Sequence, residues 1–154
     1  MLIYLVDDRG KDGEYAGFLH AHKDSLPVFS LEVFTHWSAL YHAILERQPD
    51  VILADMRFDE TPVDALYGDI TALANSDRFC GNKERAEAQI RGMQGLLICR
   101  ALRENRIFVP ILLFASLAPQ VSQHAVETLS PMMIVEGLRI AVVRQFLLTH
   151  GTPG

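Results

Sequence analysis

Five short apolar runs, separated by longer segments with helical periodicity, constrain the fold of this chain more than any other feature of its sequence. The runs, which are the predicted strands, are Leu2–Val6, 28–34, Val51–Asp55, 108–114 and Met132–Val135. Between them, apolar residues recur three and four positions apart, the spacing of one helix face. Strands joined by crossover helices pair in parallel, and a parallel sheet is normally covered on both faces. The sequence therefore predicts an α/β domain.

Apolar spacing also locates the helices that cover the sheet. Thr35 is the predicted N-cap of the second helix, because a threonine hydroxyl can accept a hydrogen bond from the first helical turn. Two later helices are predicted over 116–129 and 138–148. The residues predicted to face the core are Tyr15, Phe18, Leu19 and His22 in the first helix, Trp37, Leu40, Tyr41, Ile44 and Leu45 in the second, and Leu138, Val142 and Phe146 in the last.

Three carboxylates follow two of the predicted strands. Asp7 and Asp8 close the first apolar run, and Asp55 closes the third. If those runs are neighbouring parallel strands, the three side chains share one crevice, where open α/β sheets generally bind ligands. Like charges at such short range require protonation or a cation, and oxygen ligands with room for water suit Mg²⁺. The sequence predicts a magnesium site with a spare carboxylate.

The segment between Asp55 and Gly95 is much longer than an ordinary connection between a strand and a helix. We interpret about 57–91 as a helical insertion, with one short helix marked by apolar residues and a second over 83–90. The marker residues of the short helix are Leu66, Ile70 and Leu73. The acidic residues of the insertion, which are Asp59, Glu60, Asp64 and Asp69, fit either a solvated face with a helix start or further metal ligands.

Length, charge and cysteine content limit the class of protein. A chain of 154 residues fits one domain, predicted over 1–150, with 151–154 as the start of a linker. A net charge of −5 argues against direct nucleic-acid binding. Two cysteines are too few for a disulfide scaffold, and the first apolar run is too short for a signal peptide or a membrane span. We expect a cytoplasmic protein.

The order of these features resembles the receiver domain of bacterial two-component response regulators. The shared features are the acidic pair Asp7 and Asp8, the lone Asp55, and the stretches 93–97, 100–103 and 109–113. The resemblance covers nearly the whole chain except the insertion. It implies a flavodoxin-like fold, a doubly wound five-stranded parallel sheet of order 2-1-3-4-5, and a signalling role rather than enzymatic activity.

The resemblance also assigns roles to the acidic residues. It implies that Asp55 accepts a phosphoryl group from a histidine kinase or a phosphotransfer protein. Asp7, Asp8, Asp55 and the backbone carbonyl of Arg57 would hold Mg²⁺, which neutralises phosphate oxygens. Phosphoryl transfer needs both a positioned carboxylate nucleophile and such a cation.

Two positions depart from the family pattern. The switch hydroxyl at the end of the fourth strand falls on Ala115, with Ser116 one residue later. The lysine expected after the fifth strand is missing, Glu136 stands near its place, and no lysine follows position 83. Either another cation replaces it or phosphorylation is weak or absent. The insertion offers Lys83, Arg85 and Arg91 as replacements.

The family resemblance implies an output surface formed by the helix at 116–129, the fifth strand and the helix at 138–148. An output domain, a partner protein or a second copy of the chain would bind there, with transcription regulation as one outcome. One alternative is a pseudo-receiver that acts by protein contact without phosphorylation, with the insertion as its docking element. Another is a Mg²⁺-dependent phosphohydrolase, but that chemistry requires an acidic residue where the chain has Arg57.

Overall fold

A five-stranded parallel sheet forms the centre of the computed structural model, which describes residues 1–151. Its strands are β1 (Leu2–Val6), β2 (Ser30–Phe34), β3 (Val51–Asp55), β4 (Ile111–Phe114) and β5 (Met132–Val135). They lie in the order β2-β1-β3-β4-β5, and every neighbouring pair is parallel. The predicted fold class and strand order are confirmed. The predicted linker at 151–154 lies outside the described residues, apart from its first residue.

Two strands begin later than the sequence predicts. The strand predicted over 28–34 begins at Ser30, which is the first residue of the segment to pair with β1. The strand predicted over 108–114 begins at Ile111. Pro110 precedes it and has no N–H to donate, so the ladder starts after the proline.

Seven α-helices surround the sheet within residues 1–151. They are α1 (Glu14–Ala21), α2 (Trp37–Glu46), α3 (Ile70–Ala74), α4 (Lys83–Gly92), α5 (Gln94–Glu104), α6 (Pro119–Thr128) and α7 (Ile140–His150). Among these described helices, none has the length and apolar content needed to cross a membrane.

Alternate side chains of the central strands point into two separate cores. On one face of the sheet, Tyr4, Ile52 and Leu113 pack with apolar residues of α2, α5 and α6. On the other face, Leu5 and Leu53 pack with α1 and α7. All five residues of β1 are buried, as expected for a central strand with helices on both faces. This arrangement fixes the ends of β1 and β3 side by side.

The start of α2 differs from the prediction. His36 is the N-cap residue and Thr35 lies outside the helix, so the predicted capping role of Thr35 is wrong. The Thr35 hydroxyl lies 3.2 Å from Nδ1 of His36, and the Thr35 carbonyl accepts a hydrogen bond from Thr61. Leu45, predicted to face the core, is 63% exposed. It lies in the last turn, beyond the stripe that packs on the sheet.

The last two helices are shifted along the chain. α6 begins at Pro119 rather than 116, because proline is well suited to the first helical turn. α7 begins at Ile140, so Leu138 precedes it instead of starting its buried stripe. The buried residues of α7 are Val143, Phe146 and Leu147.

The predicted insertion is helical, and it has a small core of its own. It contains α3, which begins at Ile70 and leaves Leu66 before it, and most of α4. Phe79 packs with Ala74 and Ala86 between these two helices. The insertion is therefore an ordered layer beside the carboxyl end of β3.

Two side chains hold the insertion in place: Gln94 of α5 attaches it to the rest of the domain, and Arg91 joins its two ends. Gln94 is fully buried, donates to the Tyr67 carbonyl at 2.9 Å and accepts from the Tyr67 N–H at 2.7 Å. Nη1 of Arg91 donates to the carbonyls of Phe58 at 2.9 Å and Thr61 at 2.7 Å. These bonds satisfy backbone groups that no regular sheet or helix would satisfy.

Candidate functional site

The three predicted carboxylates lie together at the carboxyl edge of the sheet. β1 and β3 are neighbours, and Val6 pairs with Ala54 just before the acidic residues. One carboxylate oxygen from each of Asp7, Asp8 and Asp55 lies within 4.8 Å of the others. Within residues 1–151, no other group of three acidic, histidine or cysteine side chains is arranged in this way. The predicted shared crevice is confirmed.

Asp7 is the buried member of this group, with 1% of its surface exposed. Its Oδ1 accepts a hydrogen bond from the Arg9 N–H at 3.2 Å, whereas its buried Oδ2 has no hydrogen-bond partner among the described residues. Burial, together with the neighbouring Asp8 and Asp55 carboxylates, raises the pKa of Asp7 to about 7. A buried carboxylate oxygen without a donor is a good fit for a divalent cation.

Gly13 leaves room for the Asp7 carboxylate. A Cβ at this position would overlap Oδ2 of Asp7 and approach the Arg9 side chain within 3.1 Å. Gly13 is the residue before α1, and its N–H donates to the Gly10 carbonyl at 3.1 Å. The absence of a side chain at position 13 therefore lets the loop after β1 close over the buried carboxylate.

Asp55 is half-buried and holds two hydrogen bonds on one oxygen. Its Oδ1 accepts the Tyr15 hydroxyl at 2.9 Å and the Met56 N–H at 2.8 Å. Burial raises the pKa of Asp55, and these two hydrogen bonds oppose the increase because they stabilise the ionised form. Within the described residues, Oδ2 of Asp55 makes no hydrogen bond.

Tyr15 is a site residue that the sequence did not identify, because its apolar spacing marked it only as a core residue. Its ring packs against Phe114 at a centroid distance of 4.9 Å, which directs the hydroxyl toward Asp55. Burial and the Asp55 carboxylate raise the pKa of Tyr15, so it remains a neutral donor. Its position in the first turn of α1, just after the acidic pair, was the available signal.

The acidic residues of the insertion have other roles. The Asp69 side chain caps α3 by accepting the Ala72 N–H at 2.9 Å. Asp59 forms an exposed ion pair with Arg57 at 3.1 Å. Glu60 contacts the site through its backbone, since its N–H donates to Oδ2 of Asp8 at 2.8 Å. Asp59 therefore belongs to a solvent-exposed face, and Asp69 lies at the start of a helix, as one of the two alternatives from the sequence predicted.

A cavity of about 650 Å³ opens above the carboxylates. Ala115 and Ser116 both line it, as do the cationic residues Arg9 and Arg57. Glu136 is exposed and does not line it. None of the three predicted replacement cations lines it either, and the guanidinium of one of them, Arg91, binds backbone carbonyls instead. Positive charge at this cavity therefore comes from Arg9 and Arg57, neither of which the sequence predicted as a replacement for the missing lysine.

Comparison with solved structures identifies the fold. The receiver domain of the Francisella response regulator 1452 superposes with a TM-score of 0.62 at 12% identity, over 97% of this chain and 95% of that chain. A response regulator receiver protein from Pseudoalteromonas atlantica gives 0.60 at 12% identity, over 97% and 95%. NtrX from Brucella abortus gives 0.57 at 12% identity, over 97% of this chain and 28% of that chain.

No protein-family model and no curated protein matches the sequence. The fold, however, is that of response regulator receiver domains, a flavodoxin-like sheet of order 2-1-3-4-5 that carries an acidic cluster at its carboxyl edge. The fold expectation that the resemblance raised is confirmed.

Proposed function

We propose that this chain is a receiver-like signalling domain that accepts a phosphoryl group on Asp55. The observation that carries the proposal is the meeting of three carboxylates within 4.8 Å at the carboxyl ends of adjacent strands, below an open cavity. A metal ligand set of Asp7, Asp8, Asp55 and the Arg57 carbonyl fits this arrangement. When bound, Mg²⁺ would neutralise charge on the phosphoryl oxygens.

The hydrogen bonds of Asp55 support one of its two oxygens as the reacting atom. Oδ1 already accepts from Tyr15 and Met56, so Oδ2 is the oxygen left to act as nucleophile. It would form a bond to phosphorus while the bond between phosphorus and the donor's leaving group breaks, and the leaving group keeps the electron pair. Arg57, which lines the same cavity, offers positive charge in place of the missing lysine.

Phosphorylation of Asp55 would change the contacts of the residues that follow β4 and, through them, of β5. Ala115 follows β4, lines the cavity and donates its N–H to the Val135 carbonyl at 3.0 Å. Since Ala115 has no hydroxyl, Ser116 is the residue that would contact a phosphoryl group from this wall. The bond to Val135 connects the cavity to β5, the edge strand.

The surface formed by α6, β5 and α7 would bind the output partner. β5 is only partly buried, and Val121 of α6 and Met133 of β5 are large exposed hydrophobic residues. An edge strand with apolar side chains at its exposed face favours protein contact. The proposed partners are a histidine kinase or phosphotransfer protein at the acidic site, and an output domain or a second copy of the chain at this surface.

Acetyl phosphate tests the proposal directly. Incubation with acetyl phosphate and Mg²⁺ is expected to add one phosphoryl group, detected by intact mass, and the Asp55→Asn variant is expected to add none. Asp64→Asn is the matched control, because Asp64 is exposed in the insertion, belongs to no carboxylate cluster and does not line the cavity. Equal labelling of wild type and Asp55→Asn would exclude Asp55 as the phosphoacceptor.

A pseudo-receiver is the second candidate function. Ala115 has no hydroxyl at the position of the family's switch residue, and the Arg91 guanidinium donates to backbone carbonyls and so does not replace the missing lysine. Absence of an adduct in wild type, with Mg²⁺ binding intact, would favour this alternative. Continuous release of phosphate with turnover would favour a phosphohydrolase instead.

Replacement of Tyr15 with phenylalanine is expected to slow formation of the Asp55 adduct about tenfold, the usual effect of losing one hydrogen bond to a charged group. The ring contact with Phe114 remains, but Oδ1 of Asp55 loses one of its two donors, and the pKa of Asp55 rises. The rate should therefore fall first at low pH. Rates measured across pH check this result, with Tyr41→Phe, which stacks on Trp37 away from the cavity, as control. Identical pH profiles for wild type and Tyr15→Phe would contradict it.

A further inference from the structure

We propose that the insertion forms a second binding site, for a small phosphate-bearing ligand, from Arg57, Arg78 and Arg85. These arginines line one open cavity of about 420 Å³. Among the described residues, no acidic side chain lines this cavity. It adjoins the acidic site, since Arg57, Gly92 and Met93 line both cavities. We refer to it as the arginine cavity.

The charge of the arginine cavity is opposite to that of the whole chain, which carries −5. Arg57 is paired with Asp59 at 3.1 Å. Within residues 1–151, Arg78 and Arg85 make no ion pair with a carboxylate. Two guanidinium groups therefore retain their planar pairs of N–H donors, a geometry that matches phosphate oxygens.

Phe79 holds these two guanidinium groups in place. The Cζ atoms of Arg78 and Arg85 lie 5.2 and 5.7 Å from the centroid of its ring. The ring is 4% exposed and is fixed in the small core with Ala74 and Ala86. Cation–π contacts of this kind reduce the side-chain freedom that a ligand must remove on binding.

The same ring limits the class of ligand. Since Phe79 is buried beneath the arginines, it offers no open face on which a nucleobase could stack. Recognition would depend on phosphate oxygens, with the Gln89 amide as a further polar group on the cavity wall. Inorganic pyrophosphate is therefore a suitable probe, because it offers two phosphate groups and no base.

Titration of the whole chain with pyrophosphate, at fixed ionic strength and without Mg²⁺, is the test. We expect saturable shifts of the side-chain Nε–Hε NMR signals of Arg78 and Arg85. The variants Arg78→Gln and Arg85→Gln should each weaken binding about tenfold, as expected for one charge-assisted hydrogen bond. Arg100→Gln is the matched control, because Arg100 is exposed on α5 and lines neither cavity.

Two outcomes would overturn the proposal: shifts that do not saturate, or equal weakening by Arg100→Gln and the two cavity variants. Circular dichroism establishes that each variant is folded. The Asp55→Asn variant separates this proposal from the phosphoacceptor role, since it should retain pyrophosphate binding while losing the acetyl phosphate adduct.

Discussion

Replacement of Gly95 with alanine is expected to lower the free energy of unfolding by about 3 kcal/mol, at the upper end of the usual cost of overpacking. Gly95 lies buried in the first turn of α5, and its N–H donates to the Met56 carbonyl at 2.9 Å. A Cβ there would overlap the carbonyl group of Asp55. Because the obstacle is backbone rather than a flexible side chain, α5 would have to move away from the end of β3.

Thermal and urea unfolding followed by circular dichroism measure this effect. The midpoint temperature should fall by about 6–12 °C, given about 2–4 °C per kcal/mol for a chain of this size. Gly17→Ala is the matched control, because Gly17 is exposed in α1 and an added Cβ meets nothing within 4 Å. That variant should be stabilised by about 0.5–1 kcal/mol through helix propensity. Equal stability of Gly95→Ala and wild type would mean that α5 does not contact β3 as described.

The α/β fold class and the acidic residues could be predicted because both depend on local patterns, whereas the strand order was predicted from the family resemblance. Continuous apolar runs identified the buried strands, and the alternation with helices fixed their parallel pairing. Asp7, Asp8 and Asp55 then followed from their positions at the ends of two such runs. The roles of these residues in phosphoryl transfer remain predictions.

Contacts that depend on the orientation of helices and on the path of the insertion could not be predicted. Tyr15 had the apolar spacing of a core residue, and only the packing of α1 against Phe114 places its hydroxyl on Asp55. The sequence offered Arg91 as a free cation, but its guanidinium binds carbonyls of the segment after β3. Such pairings join positions far apart in the chain, and no local pattern encodes them.

Replacement of Asp7 with asparagine is expected to stabilise the metal-free protein at alkaline pH by roughly 4 kcal/mol, because each pKa unit corresponds to about 1.4 kcal/mol. Burial raises the pKa of Asp7 from 3.8 to about 7, so in this interval the folded state holds a proton that the unfolded state has lost. Wild-type stability should therefore decline as the pH rises from about 4 to 7. The asparagine variant has no carboxylate at this position and should lack that part of the decline.

Urea unfolding of both proteins between pH 4 and 8 in the presence of a chelator measures the difference. The two should have similar stability near pH 4 and diverge as the pH increases. Asp24→Asn is the matched control, since Asp24 is exposed near the start of β2, and its profile should follow wild type. A constant difference between Asp7→Asn and wild type across this range would show that Asp7 does not carry the linkage.

Magnesium provides the second half of this prediction. A cation that binds only the folded state stabilises the protein. At concentrations above the dissociation constant, this stabilisation increases with the logarithm of the cation concentration. Addition of Mg²⁺ at pH 8 should therefore stabilise wild type and leave Asp7→Asn nearly unchanged, so that the two proteins converge. If both proteins respond equally to Mg²⁺, the buried Oδ2 of Asp7 is not a metal ligand, and the acidic cluster requires another source of positive charge.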